Sequence, residues 1–320
     1  MVDPVADLVS RAREGQARAV ARLISYVEDA APAMREVTAA LAPYAGRAQV
    51  IGITGAPGVG KSTSTSALVG EYRARGLTVG VLAVDPSSPF SGGALLGDRV
   101  RMQEHATDAG VFIRSMASRG HLGGLSWATP QAVRVLDAAG FDVVLVETVG
   151  VGQSEVEVAG AADTTLVLVA PGMGDGVQAA KAGILEIGDI FVVNKADRDG
   201  AESTLRELRH MITLGSGPRS GTVDDPWSPP VLRTVAARAE GITDVVTTIE
   251  AHRVWLERTG ALDARRRARA ATEIEAIAFA SLRARIGDLR GDLRLDALAA
   301  RVVSGDVDPY SAADTLVAAL

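Results

Sequence analysis

The chain has 320 residues, 47% of them hydrophobic and 22% charged, with a formal net charge of −6. That length and apolar content can bury one domain of about 200 residues with helical additions, and the acidic balance argues against a general affinity for nucleic acid. Cysteine is absent, which excludes disulfides, thiolate catalysis and cysteine-based metal sites together.

No apolar run approaches the ~18 residues of a membrane span. Asp3, Asp7 and Glu14 interrupt the N-terminal stretch, unlike a signal peptide, so the expected location is cytoplasmic, with no membrane partner. The four histidines, His105, His121, His210 and His252, are dispersed without metal-ligand spacing.

Residues 1–46 read as helices, with Val5, Leu8, Val20, Leu23, Ile24 and Val27 set among charges, and their expected role is packing against the domain that follows. The apolar run Val50-Ile51-Gly52-Ile53 then leads into Gly55-Ala56-Pro57-Gly58-Val59-Gly60-Lys61-Ser62-Thr63, and a helical segment continues to about Arg75. This is G-x-x-x-x-G-K-[ST] between a strand and a helix. Glycines let the backbone N–H groups turn inward around a phosphate, and the helix N-terminus adds partial positive charge. Lys61 is expected to reach the β- and γ-phosphates of a nucleoside triphosphate and Ser62 to hold Mg²⁺. Of 33 basic residues only Lys61, Lys181 and Lys195 are lysine, and two of these lie in nucleotide motifs.

The segment Leu77 to Val84 reads as a buried strand ending at Asp85-Pro86-Ser87-Ser88, and an acid at that end of an α/β sheet points at the ligand crevice. A strand over Val111–Ser115, a helix over Pro130–Ala139 and a strand ending in Glu147-Thr148-Val149-Gly150 follow. Glu147 stands where a Walker B carboxylate is expected, and the N–H of Gly150 is suited to sensing a γ-phosphate. Glu is one methylene longer than the usual Asp, so it reaches the metal through water or acts on the nucleophile.

Thr164–Val169 and Ile190–Val193 complete an alternating pattern that predicts an α/β fold, a mainly parallel sheet covered by helices on both faces. The last of these strands delivers Asn194-Lys195-Ala196-Asp197. The Asp197 carboxylate can accept from N1–H and the 2-amino group of guanine, which adenine cannot offer. Asn194 suits the purine's acceptors, and the Lys195 stem suits the ring face. Residues 215–230 read as a Pro/Gly-rich loop, Val231–Val235 as a last strand and Ile242 to Arg258 as a helix. The tail is helical, and its run Arg265-Arg266-Arg267-Ala268-Arg269 is read as a solvated face. Its stripe of Ile274, Ile277, Phe279, Leu282, Ile286, Leu289, Leu293, Leu298 and Val302 needs a partner surface. The expected division is 1–46 as N-terminal helical extension, 47–260 as the nucleotide domain and 261–320 as a C-terminal helical arm.

These segments, with Leu96-Gly97-Asp98-Arg99, Glu147 through Glu155, Pro171 through Asp175 and Asp308 through Asp314, resemble the MeaB/ArgK family of P-loop GTPases, chaperones of the cobalamin-dependent methylmalonyl-CoA mutase. The resemblance implies a first switch from Asp85 to about Arg101 with Asp98 as a metal ligand, and a second from Glu147 to Glu155 containing Gly150 and Gln153. It further implies a third switch from Pro171 to Lys181, including Asp175, that faces the partner enzyme. Ala236, Ala237 and Arg238 are implied to close over guanine, Ala236 by backbone only because many family members carry Ser there. A homodimer through the C-terminal helices is implied as well.

The resulting expectation is a GTPase that assists cofactor loading or protection of the mutase. The ligand set for Mg²⁺ is Ser62, Glu147, Asp98 and Asp85. Val151 follows Gly150 where fast-activated GTPases place a water-orienting glutamine, which predicts slow intrinsic hydrolysis, stimulated by a partner. Two rival readings are a GTP-driven metal-insertion protein and an ATP-dependent kinase of a transport system.

Overall fold

The structure, a computed structural model, describes residues 4–28, 34–85, 102–117, 128–148, 158, 160–172, 185–215, 226–286 and 293–318. Seven strands form one sheet: β1 (Gln49–Thr54), β2 (Val79–Asp85), β3 (Val111–Ala117), β4 (Val143–Thr148), β5 (Thr164–Val169), β6 (Ile190–Asn194) and β7 (Val231–Thr234). Their order is β3-β2-β4-β1-β5-β6-β7, and each pairing between them is parallel. Parallel strands need crossovers, so helices cover both faces and the strands between read as continuous apolar runs. β1, β4, β5 and β6 are accordingly buried at every position. This is the α/β architecture of P-loop NTPases, with helical N- and C-terminal parts.

Among the described residues the helices of eight residues or more are α1 (Pro4–Arg13), α2 (Ala17–Glu28), α3 (Met34–Leu41), α4 (Lys61–Ala74), α5 (Ala128–Ala139), α6 (Ala201–Gly215), α7 (Ile242–Arg258), α8 (Ala261–Ile286), α9 (Leu293–Val303) and α10 (Pro309–Ala318). The two-residue alternation of the strands sorts the core. Val50, Leu82, Val144 and Val146 face a cluster built with Val5 and Val9 of α1, Val20, Leu23, Ile24 and Val27 of α2, and Val135 and Leu136 of α5. The N-terminal helices therefore share a core with the sheet. Each such side chain contributes about 1.5–3 kcal/mol of transfer free energy when fully buried. On the opposite side, Ile51, Ile53, Val79, Val81, Val143 and Leu145 pack on Leu68 and Tyr72 of α4 and on Val245, Val246 and Ile249 of α7.

The helix α4 ends where the sequence places its end, but β2 starts at Val79 and not at Leu77. Gly76, at φ 81°, closes the helix: its N–H bonds Arg73 O at 2.9 Å, and the Leu77 N–H bonds Tyr72 O at 3.1 Å. Thr78 is held by the Asp142 carboxylate, its N–H and hydroxyl both at 2.8 Å. Leu77 and Thr78 are thus spent on the turn.

The chain divides into two compact units, Met1–Asp263 and Ala264–Leu320. In the second unit Asp308 caps α10, accepting from the N–H groups of Tyr310 at 2.9 Å and Ser311 at 3.1 Å. The Ser311 hydroxyl and these N–H groups hold its carboxyl below the usual aspartate range. Ile274, Phe279 and Leu282 of α8 and Leu293 of α9 are exposed. Among the described residues no helix is long and apolar enough to cross a membrane.

Candidate nucleotide site at the carboxyl ends of the strands

Because the sheet is parallel, every strand delivers its carboxyl end to one edge, where ligands of open α/β sheets bind. Residues 55–60 leave β1 there, Glu147 lies near the end of β4, Asn194 ends β6 and the 3₁₀ turn Ala236–Arg238 follows β7. Gly55, Gly58 and Gly60 have φ of 139°, 81° and 96°, the left-handed region that favours glycine. A Cβ on Gly55 would stand 2.2 Å from Leu168 O, and one on Gly60 2.5 Å from Asn194 Nδ2. Val59 is buried in the core, while Pro57 and Gly58 are exposed on the crest. Lys61 opens α4, and its Nζ donates to Gly55 O at 2.8 Å and Ala56 O at 3.1 Å, so the ammonium lies against the loop it follows. Thr63 points outward from the first turn.

Beneath the loop is a buried polar floor. The pairing of Ile53 with Glu147 sets the acid beside the end of β1. Ser62 Oγ donates to Glu147 Oε1 at 2.7 Å and Thr65 Oγ1 to Oε2 at 2.9 Å. Glu147 is 4% exposed and Ser62 7%. The Ser62 hydroxyl and the Glu147 carboxylate form an oxygen-only donor set, the chemistry a small hard cation takes, so these residues fit Mg²⁺. Thr65 escaped the sequence reading, yet its signal was there: hydroxyls at 62 and 65 are three apart on a helix and share a face. Asp85 ends β2 at the same edge, but its side chain, like Asp98, Gly150, Gln153, Asp175 and Lys181, lies outside the described residues.

The Asn194-Lys195-Ala196-Asp197 segment has a buried half and an exposed half. Asn194, 2% exposed, donates from Nδ2 to Val59 O at 2.8 Å, and its Oδ1 accepts from Thr234 Oγ1 and Ala236 N–H, both at 3.1 Å. The amide expected to meet the purine therefore ties the phosphate loop to β7 and the turn after it. Three of its four hydrogen-bonding positions are used within the protein. Lys195 has a left-handed backbone, φ 57°, and its Nζ donates to Gly58 O at 2.6 Å, laying the stem across the loop. Asp197 is exposed on the rim. Its Oδ2 lies 3.4 Å from Arg238 Nη1, while Arg238 Nε donates to Glu240 Oε1 at 2.7 Å. Hydrogen bonding to Glu240, then its charge and that of Asp197, hold the guanidinium above its ordinary pKa. Ala236 is buried and Ala237 exposed.

The sequence profile of the family described as "Methylmalonyl Co-A mutase-associated GTPase MeaB" matches residues 20–288. The chain belongs to the MeaB family. A putative GTPase of Pyrococcus abyssi is 48% identical over 97% of this MeaB-family chain and 95% of its own length. The GTPase ArgK of Escherichia coli is 38% identical over 81% and 78% respectively. A crystal structure titled "LAO/AO transport system kinase" superposes with a TM-score of 0.73 at 27% identity, covering 99% of this chain and 98% of that one.

Proposed function

We propose that this MeaB-family chain is a GTP-binding and GTP-hydrolysing switch that assists cofactor loading or protection of methylmalonyl-CoA mutase. The observation that carries the GTPase reading is the 2.8 Å bond from Asn194 Nδ2 to Val59 O, which joins the Asn194-Lys195-Ala196-Asp197 corner to the phosphate loop. One ligand with a triphosphate and a guanine fits that junction. The mutase assignment rests on the family description.

In this reading the amides of 55–63 and the Lys61 ammonium hold the phosphates, Asp197 accepts from the guanine edge and Lys195 covers the ring. Residues Ala236, Ala237 and Arg238 close over the base. Ser62 and Glu147, with Asp85 and Asp98, hold Mg²⁺, which when bound neutralises charge on the phosphates. Hydrolysis converts GTP and water to GDP and phosphate, with Lys61 opposing charge that develops on the transferred group. Val151 orients no water, so the isolated protein turns over slowly and a partner accelerates it. Gly150, Gln153, Asp175 and Lys181 report the nucleotide state to that partner. Residues 1–46, 47–260 and 261–320 serve as helical extension, GTPase domain and arm of a cytoplasmic homodimer. The exposed Ile274 and Phe279 support the dimer.

Two experiments test this. Competition by isothermal titration is expected to rank GTP and GDP far above ATP, and ATP preference with phosphate transfer to a protein would favour the kinase reading instead. Co-purification with apo- and holo-mutase in GTP, GDP and nucleotide-free states is expected to show state-dependent capture. Capture in none of them removes the mutase assignment and leaves the GTPase standing.

A further inference from the structure

Glutamate carries one more methylene and one more torsion than the aspartate usual in this place, so more rotamer freedom is lost when its carboxylate is fixed. The hydrogen bond from Ser62 secures one carboxylate oxygen. The other is met by Thr65, whose Oγ1 lies 2.9 Å from Glu147 Oε2 and 3.0 Å from Lys61 O. A hydroxyl has one proton for these two acceptors, and the charged carboxylate is the stronger. Thr65 is 0% exposed, so no water competes for that proton. It is β-branched and on a helix, so the hydroxyl is confined to few directions. Ser62 and Thr65, one turn apart on α4, grip Glu147 as a pair.

We infer that Thr65 is a positioning residue: its hydroxyl fixes the Glu147 carboxylate so that the other oxygen stays on Ser62, and thereby sets how tightly Mg²⁺ is held with the nucleotide. The affinity of the nucleotide itself is set elsewhere, by the loop amides and Lys61. This rests on the reading of Glu147 as part of the Mg²⁺-holding group.

The test uses the full chain and mant-GDP, with Mg²⁺ titrated while nucleotide retention is followed by fluorescence. Thr65→Val, which keeps the shape and loses the hydroxyl, is expected to raise the Mg²⁺ midpoint about tenfold, the scale of one hydrogen bond to a charged group. Release in excess EDTA stays within about twofold of the parent, since the bond acts only through the metal. Thr65→Ser restores the midpoint. Thr65→Ala carries the same expectation should the valine variant unfold. In a Glu147→Gln background the Thr65→Val effect disappears, because the two act as one unit. A Thr65→Val midpoint within twofold of the parent, beside a Glu147→Gln midpoint that moves, overturns the inference alone. A Glu147→Gln midpoint that does not move overturns the reading of Glu147 and the inference with it.

Discussion

The phosphate floor and the base rim sit at the same edge of one sheet and are built in opposite ways. The floor holds Lys61, Ser62, Thr65, Glu147 and Asn194, each at 7% exposure or less and each hydrogen-bonded within the protein. The rim holds Asp197, Arg238 and Glu240, which are exposed and joined by ion pairs of 2.7 and 3.4 Å. Buried polar groups are costly to leave unpaired and so become rigid. Exposed ion pairs contribute little and rearrange readily. Under the proposed function, grip on a phosphate is then a fixed property of the floor, and choice of base an adjustable one of the rim.

The largest effect that separates the two belongs to Lys61. Lys61→Ala is expected to lower triphosphate affinity by about a thousandfold, the scale of removing one partner from a desolvated charge pair; a loss below tenfold by titration would show that the floor does not grip through this ammonium. Asp197→Asn is expected to weaken GTP about a hundredfold and strengthen XTP, because an amide donor complements a carbonyl at C2. Competition assays that still favour GTP would move base reading to another residue.

Asn194→Ala sharpens the boundary, since the residue belongs to the base motif by sequence and to the floor by structure. It strands Val59 O, Thr234 Oγ1 and Ala236 N–H, so the unfolding free energy is expected to fall by about 2 kcal/mol in chemical denaturation. All nucleotides weaken alike. A changed base preference at unchanged stability would return Asn194 to the rim. The smallest effect is expected for Arg238→Ala, a change in GTP affinity of about threefold or less that shrinks as salt screens the pair. A larger, salt-independent loss would mean that the guanidinium does more than shadow Asp197.

What could be read in advance follows the same division. The phosphate loop, Glu147 and Asn194 through Asp197 were legible because each is contiguous and ends a strand whose apolar run announces it. The direction of the Asn194 amide was not, because it depends on how β6 and β7 sit beside the loop, and no local spacing encodes that. Thr65 was half visible, as a hydroxyl one turn from Ser62, but its partner comes from β4. His252 looked like one more dispersed histidine, yet it is fully buried, with Nδ1 2.9 Å from Thr164 Oγ1 and its ring stacked on Trp255. The sequence marks α7 as a helix and does not say which of its polar residues is buried.

The contact between Gly60 and Asn194 has a practical consequence for anyone designing a nucleotide-blind control. A side chain at position 60 would drive into the Asn194 amide at 2.5 Å and force an L residue to φ 96°, so the lesion would spread from the loop into β7 and its turn. A partner that failed to recognise such a variant would be reporting a distorted surface and not a missing ligand; substitutions at Lys61 or Asp197 leave the contact between Gly60 and Asn194 in place.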